Sequence, residues 1–245
     1  MSGTVQYSFE RYEKKYFLTP EQQRSLFRGL RSRVREDSFG QHTVYNIYYD
    51  TDDWRLIRAS VEKPVYKEKL RVRSYGIPEQ DGEVFVELKK KYAGIVYKRR
   101  VSADIRSVEP FLAGHLQGQD FGQIGREIAW FQKCWKAKPK VWIAYDRVGY
   151  EGSCDPELRI TLDRNMRWRD TGLDLRLGDY GKPLLYGENI LMEIKIPGVC
   201  PLWLSHLLSE NGIFPVSFSK YGSCYRDHLL RKERNEKEKE GICCA

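Results

Sequence analysis

A row of cations lies along one face of a predicted strand in the segment KEKLRVRSY, residues 67–75. Because successive side chains of a strand point to opposite faces, Lys69, Arg71 and Arg73 share one face and apolar residues occupy the other. Ammonium and guanidinium groups bind phosphate oxygens through charge-assisted hydrogen bonds. The row therefore predicts a site for a phosphorylated or polyanionic ligand.

Further cations occupy the charged faces of other predicted strands and one C-terminal loop. The complete set of thirteen is Arg11, Lys15, Lys69, Arg71, Arg73, Lys89, Lys91, Lys98, Arg100, Arg147, Arg159, Lys195 and Lys220. Only four acids accompany them, namely Glu13, Glu87, Asp163 and Glu193. Like charges opposite one another on neighbouring strands are destabilising, and a face that only needs to be soluble would intersperse the two signs. The excess of cations therefore indicates an anionic ligand.

Alternation of apolar and charged residues with a period of two predicts the strands that carry these side chains. Eight strands are predicted over 9–18, 45–51, 67–75, 83–91, 94–101, 140–150, 157–164 and 190–198. Helices are predicted over 20–34, 123–136, 202–210 and 219–239 from apolar spacing and from start and stop signals such as Thr19-Pro20 and Asn211-Gly212. Since no linker divides the chain, we expect one domain over residues 1–230 and a charged extension over 231–245.

The composition limits the class of protein. With 245 residues, 41% of them hydrophobic, the chain can bury a substantial core, and the balance of 42 Lys+Arg against 34 Asp+Glu favours anionic partners. The six cysteines lack metal-site spacing and no secretory signal or membrane-spanning run is found, so we expect reduced thiols and a cytoplasmic protein. The sequence contains neither a phosphate-binding loop of the G-x-x-x-x-G-K-[ST] type nor a recognisable Ser-His-Asp arrangement.

Two arrangements of the strands agree with these observations. In the first, the charged faces form an open basic sheet that binds nucleic acid. In the second, eight antiparallel strands close around a narrow lumen, the cations line its interior, and helices cover the apolar outer faces. The pattern of residues alone does not choose between them.

Nine motifs in a fixed order carry a resemblance to a known family. They are Arg11-x-Glu13-x-Lys15-Tyr16, Tyr48-Tyr49-Asp50-Thr51, Lys69-x-Arg71-x-Arg73-x-Tyr75, Glu87-Leu88-Lys89-Lys90-Lys91, Lys98-x-Arg100, Tyr145-Asp146-Arg147, Arg159-Ile160-Thr161-Leu162-Asp163, Met192-Glu193-Ile194-Lys195 and Ser219-Lys220-Tyr221. This order resembles the catalytic domain of the vacuolar transporter chaperone (VTC) polyphosphate polymerases, in their soluble bacterial form, within the CYTH-like triphosphate tunnel metalloenzymes. One departure is that Arg11 stands where the CYTH signature E-x-E-x-K begins with Glu, which favours polyphosphate handling over two-metal hydrolysis.

The resemblance implies an α+β fold, a closed eight-stranded antiparallel β-barrel tunnel with helices packed on its outside. It implies transfer of the ATP γ-phosphate to a growing polyphosphate chain with release of ADP and a need for Mn²⁺ or Mg²⁺. The alternatives are an inorganic triphosphatase or nucleoside triphosphatase of the same tunnel class and a non-catalytic polyphosphate-binding module. Nucleic acid then becomes an unlikely partner, and a membrane partner that receives the product stays possible.

The resemblance also implies roles for individual residues. The catalytic residues would be Arg71, Arg73, Lys89, Arg147, Arg159 and Glu193. Phosphate and ATP would be bound by Arg11, Lys15, Lys69, Lys91, Lys98, Arg100, Lys195, Ser219 and Lys220. Glu193 would be the principal metal ligand, with Glu13 and Glu87 ranked below it. An ion pair with Lys89 or Lys195 is the alternative role for Glu193.

Some nearby residues are expected to have structural roles only. Tyr48 and Asp50 suit strand-end packing and turn formation, and Asp163 suits bracing of neighbouring arginines. Trp130 and Trp135 are expected to pack against the wall of the barrel.

Overall fold

The computed structural model describes residues 11–62, 64–93, 95–115, 121–187 and 189–232 of the chain, and the side chains of residues 11 and 12 lie outside this description. The predicted phosphate contact of Arg11 and nearly all of the predicted extension over 231–245 therefore fall outside the described residues.

Eleven strands and six α-helices make up the described chain. The strands are β1 Arg11–Leu18, β2 Val34–Glu36, β3 His42–Asp50, β4 Tyr66–Tyr75, β5 Glu83–Tyr92, β6 Ile95–Asp104, β7 Lys138–Gly152, β8 Arg159–Arg169, β9 Lys182–Pro183, β10 Ile190–Pro197 and β11 Pro215–Val216. The helices are α1 Pro20–Leu30, α2 Arg55–Val61, α3 Ile105–Leu112, α4 Gly122–Trp135, α5 Leu202–Glu210 and α6 Lys220–Cys224, the last followed by a π-helical segment Tyr225–Leu229.

The eight long strands occur where the alternating pattern predicts them, whereas the helices differ in part. Helix α1 begins with a capping box in which Thr19 and Gln22 bond reciprocally, but it ends at Leu30 because Val34 already pairs with Gly152 of β7. Helices α2 and α3 were not predicted, since seven and eight residues are too few to establish a helical period.

The expectation of a closed eight-stranded barrel is wrong. The hydrogen-bonded order is β11-β1-β10-β8-β7-β3-β4-β5-β6, with β2 added to β7 and β9 added to β8, which makes an eleven-stranded sheet. The pairs β1–β10, β1–β11, β8–β10, β2–β7, β3–β4, β4–β5, β5–β6 and β8–β9 all run antiparallel. Within the described residues no ladder joins β6 to β11. Strand β11 consists of only two residues, and its Pro215 has no backbone N–H to donate. It can therefore form few of the hydrogen bonds that would be needed to close the sheet.

The chain divides into two compact units, to both of which β7 and β8 contribute residues. Among the described residues, the first unit comprises 11–42, 146–164 and 185–217, and the second comprises 43–145, 165–184 and 218–232.

Each unit has its own hydrophobic core, which helices cover from one face of the strands. In the second unit, Phe111 of α3 and Phe131 of α4 belong to the cluster that contains Leu70, Val72 and Leu88 of β4 and β5. In the first unit, Leu26, Leu30 and Leu204 of α1 and α5 share a cluster with Met192 and Ile194 of β10. The helices therefore cover the apolar faces, as expected, and the charged side chains lie on the opposite faces.

The two tryptophans of α4 differ in their environment. Trp130 is 65% exposed, so its expected packing role is wrong. Trp135 donates from its indole nitrogen to Glu68 Oε2 at 3.0 Å and packs against the core of the second unit. No helix within the described residues is long and apolar enough to cross a membrane.

Candidate phosphate-binding site

Glu87 is the centre of a cationic cluster on the charged face of the second unit. It is only 1% exposed. Its Oε2 lies 2.6 Å from Arg71 Nε and 3.9 Å from Arg73 Nε, and its Oε1 lies 3.0 Å from Lys98 Nζ and 3.5 Å from Arg100 Nε. Four cations and one carboxylate leave a net charge of +3 in this group, the Glu87 cluster.

The strand register creates this cluster. Glu87 of β5 is paired with Arg71 of β4 on one side and with Arg100 of β6 on the other. The next row towards the β5–β6 turn contains Lys69, Lys89 and Lys98. Directly opposed like charges are destabilising, and the buried carboxylate offsets this repulsion for the arginine row.

The protonation states follow from burial and from the neighbouring charges. Burial alone would raise the pKa of Glu87, but the positive charges of Arg71, Arg73 and Lys98 outweigh it and hold the pKa at about 2. The pKa of Lys98 is lowered, mainly by burial. Glu87 acts to raise this pKa, and the positive charges of Arg71 and Arg73 act to lower it further. Glu87 is therefore ionised at neutral pH and neutralises part of the positive charge of the cluster.

Polar side chains that the sequence analysis did not assign to the site orient the two central arginines. Arg73 donates from Nε to Asn46 Oδ1 at 3.0 Å and from an Nη to the hydroxyl of Tyr145 at 3.2 Å. Arg71 donates to the hydroxyl of Tyr48 at 3.3 Å. Asn46 is fully buried between apolar neighbours of β3. A buried amide in an otherwise apolar strand needs hydrogen-bond partners. The presence of Asn46 in the apolar segment of β3 was therefore the sequence signal that could have revealed its role.

The motif at Ser219 and Lys220 lies in the same unit. Lys69 Nζ donates to Ser219 Oγ at 3.1 Å, and Ser219 Oγ also accepts from the backbone N–H of Gly222 at 3.2 Å. Lys220, which is only 8% exposed, places its Nζ 4.2 Å from the centre of the Tyr145 ring. The structure therefore brings Lys69 and Ser219 together, places Lys220 beside Tyr145, and places Lys89 and Lys91 on one strand face.

Asp50 has the structural role that was expected of it. The carboxylate is fully buried, accepts from the backbone N–H groups of Leu56 and Ile57 at 2.9 Å each, and accepts from the hydroxyl of Tyr221 at 2.8 Å. Burial raises the pKa of Asp50 despite these bonds. Asp50 thus fixes the start of α2 and anchors α6, which carries Lys220.

A second charged group lies in the first unit. Glu193 of β10 is contacted by Lys15 Nζ at 3.5 Å and by Lys195 Nζ at 3.9 Å. Glu13 is exposed and is paired in register with Lys195.

Two arginines of the first unit are held by acids. Arg147 binds Asp163 through two hydrogen bonds of 2.7 and 2.8 Å, and Asp163 is fully buried, so its predicted bracing role is confirmed. Arg159 is exposed and pairs with Glu151, whose carboxylate also accepts from Arg35 at 2.9 Å.

The predicted metal ligands differ in their suitability for a divalent cation. Within the described residues, no three His, Cys, Asp or Glu side chains come together to hold a metal. The four cations around Glu87 oppose the binding of another cation there. Glu193 is paired in register with Thr161, whose buried Oγ1 has no hydrogen-bond partner in the described part of the chain. Mg²⁺ is usually bound through one or two carboxylates together with water and substrate phosphates, and Glu193, with Thr161 opposite it in the register, supplies one such carboxylate.

Known proteins resemble this chain in fold and in sequence. The structure resembles that of a Hippeastrum protein assigned as an adenylyl cyclase with a dominant triphosphatase activity, with a TM-score of 0.51 and 18% sequence identity over 89% of this chain and 96% of that chain. The likeness concerns the fold alone.

The sequence comparisons concern the family. Subunit 4 of the vacuolar transporter chaperone complex of Schizosaccharomyces pombe is 22% identical over 278 aligned positions, which cover 90% of this chain but only 37% of that protein. The family model named VTC domain matches residues 10–228. That match includes both charged groups described above and confirms the resemblance based on the nine motifs. The chain therefore belongs to the VTC domain family.

Proposed function

We propose that residues 1–230 form a polyphosphate polymerase, which transfers the γ-phosphate of ATP to an inorganic polyphosphate chain with the help of Mn²⁺ or Mg²⁺. The Glu87 cluster is the observation that carries this proposal. It concentrates four cations around one buried carboxylate on the strand face opposite the core. Membership of the VTC domain family supports the same conclusion.

The cluster suits phosphoryl transfer because that reaction needs positioning and charge stabilisation more than a nucleophilic side chain. Arg71 and Arg73 are held by Glu87, Tyr48 and Asn46 in the protein alone. Donors fixed in this way stabilise developing negative charge without the cost of reorganisation. Lys98 and Arg100 supply further positive charge from β6.

The remaining predicted residues have supporting roles in the proposal. Phosphate contacts are assigned to Lys15, Lys69, Lys91, Lys195, Ser219 and Lys220. Lys89, Arg147 and Arg159 complete the proposed catalytic set and also contact phosphate. Of these, Arg147 is the best oriented, since Asp163 grips it in a bidentate pair. Arg159 shares the carboxylate of Glu151 with Arg35 and lies in a more exposed position.

Glu193 and the hydroxyl of Thr161 are the residues that would hold the divalent cation. A bound cation would neutralise charge on the phosphate oxygens. Lys15 and Lys195 compensate the charge of Glu193 in the protein alone.

Analysis of the products tests the proposed reaction. After incubation with ATP and Mn²⁺, we expect long phosphate chains on a gel together with ADP. Free phosphate and ADP without long phosphate chains would instead assign the chain as a triphosphatase. Tight polyphosphate binding without turnover would assign it as a binding module, and either result contradicts the polymerase.

The variant Glu193→Gln tests the metal site. We expect its affinity for Mn²⁺ in the presence of tripolyphosphate to fall by at least about tenfold, since even the loss of groups that only support metal ligands costs about 10- to 100-fold. Electron paramagnetic resonance of free Mn²⁺ measures this affinity without relying on turnover. The matched control is Glu210→Gln, in an exposed residue at the end of α5. Equal Mn²⁺ affinity in the wild type and Glu193→Gln would remove Glu193 from the site.

A further inference from the structure

The charged face of the second unit changes its character along the strands. Arg73 is paired with Phe85, and Phe85 is paired with Ser102, in the row that follows the Arg71–Glu87 row. Beyond Phe85, strand β5 presents the exposed Glu83, which accepts a hydrogen bond of 2.5 Å from Ser102 Oγ. The face thus passes from cationic to aromatic to acidic in one direction. Because like charges repel, a phosphate chain bound at the arginines would not continue past Phe85.

An aromatic pair lies at this boundary. The rings of Tyr75 and Phe85 meet edge to face with centroids 5.7 Å apart. The guanidinium carbon of Arg100 lies 3.6 Å from the centre of the Phe85 ring, and an Nη of Arg100 donates to the hydroxyl of Tyr75 at 3.3 Å. Phe85 is half-buried, whereas Tyr75 is 48% exposed.

Two roles for this group can be compared. A mere support for Arg100 would use the ring of Phe85 and the hydroxyl of Tyr75, whereas a base-binding role would also use the exposed ring of Tyr75. Planar nucleobases stack both on aromatic rings and on guanidinium groups. A base is also uncharged, so the carboxylate of Glu83 does not repel it as it would a phosphate.

We propose that Tyr75, Phe85 and the guanidinium of Arg100 form the subsite for the base of a nucleoside triphosphate, whose phosphates extend over Arg73 and Arg71. The inference rests on the proposed function, because it takes the Glu87 cluster as the phosphate site. It assigns a direction to the face, with the nucleoside at the Tyr75 end and the inorganic chain towards Lys69 and Lys89.

Calorimetric titration with two ligands tests this assignment. ATP and inorganic tripolyphosphate both carry a chain of linked phosphates, but only ATP carries a base. In Tyr75→Leu we expect the affinity for ATP to fall about tenfold, as for the loss of one base stack, while the affinity for tripolyphosphate stays within about twofold. Tyr75→Phe keeps the ring and should retain the wild-type ratio of the two affinities. The control Tyr186→Leu removes a tyrosine that is 82% exposed elsewhere and should leave both affinities unchanged.

The other outcomes separate this inference from the proposed function. Equal weakening of both ligands in Tyr75→Leu would mean that the tyrosine only positions Arg100, and unchanged affinities would mean that no base binds there. Either result overturns the subsite while the phosphate site stands. Failure of the wild type to bind tripolyphosphate at all would overturn the proposed function, and the subsite with it.

Discussion

Replacing Arg71 by alanine is expected to lower the rate of polyphosphate synthesis from ATP by at least about 100-fold, the loss that follows removal of one oriented donor to a developing negative charge. Arg71 is the cation closest to Glu87, at 2.6 Å, and Tyr48 holds its other side. Its side chain is therefore fixed at the centre of the cluster. Initial rates at saturating ATP and Mn²⁺ measure the effect.

Conservative and remote variants separate the causes of this loss. Arg71→Lys keeps the charge but not the planar fork of donors, so we expect it to recover only part of the rate. Arg24→Ala removes an arginine of α1 whose side chain is 67% exposed and pairs with Glu21, and it should retain the full rate. If Arg71→Ala kept its rate within about twofold of the wild type, the Glu87 cluster would not be the site of the reaction.

Replacing Glu87 by glutamine is expected to remove the part of the folding stability that the wild type loses as the pH falls. The cations hold the pKa of Glu87 at about 2, against an ordinary value of 4.5. A carboxyl whose pKa is lower in the folded state stabilises the fold above its ordinary pKa, and this contribution is lost as the pH falls through the folded-state value. The shift corresponds to roughly 3 kcal/mol in the free energy of unfolding, which the wild type should lose between pH 4.5 and about 2. Urea titrations at several pH values measure it.

The variant should show the complementary behaviour. In Glu87→Gln the four cations have lost their buried counter-charge, so we expect lower stability at pH 7 and a weaker pH dependence below 4.5. Tripolyphosphate should raise the melting temperature of the variant more than that of the wild type, because the ligand replaces the missing negative charge. Glu83→Gln, in an exposed residue of the same strand, should behave like the wild type in acid. Identical acid unfolding of Glu87→Gln and the wild type would show that Glu87 does not neutralise the cluster.

Local sequence patterns were sufficient for much of this protein. Alternation with a period of two located the eight long strands, because each side chain's face depends only on its position within the strand. The same alternation placed Arg71 and Arg73 on the charged face, opposite Leu70 and Val72 in the core. The ordered motifs were specific enough to identify the family by themselves.

Other features depended on the pairing of distant segments. Closure of the sheet could not be judged from the strands themselves, since it depends on which edges meet, and β6 and β11 end the observed order. The role of Glu87 required the register of β4, β5 and β6, which places one carboxylate between cations from two neighbouring strands.

The groups that orient the cations are more distant still in the chain. Arg73 and Tyr145 form a hydrogen bond although they are 72 positions apart in the chain, and Lys69 and Ser219 do so at a separation of 150 positions. No local period carries such information, because these contacts form only when the strands and α6 have packed. The sequence by itself thus determined the family, the strands and the cationic face, whereas the tertiary structure decided which carboxylate neutralises the cations and which side chains hold them in place.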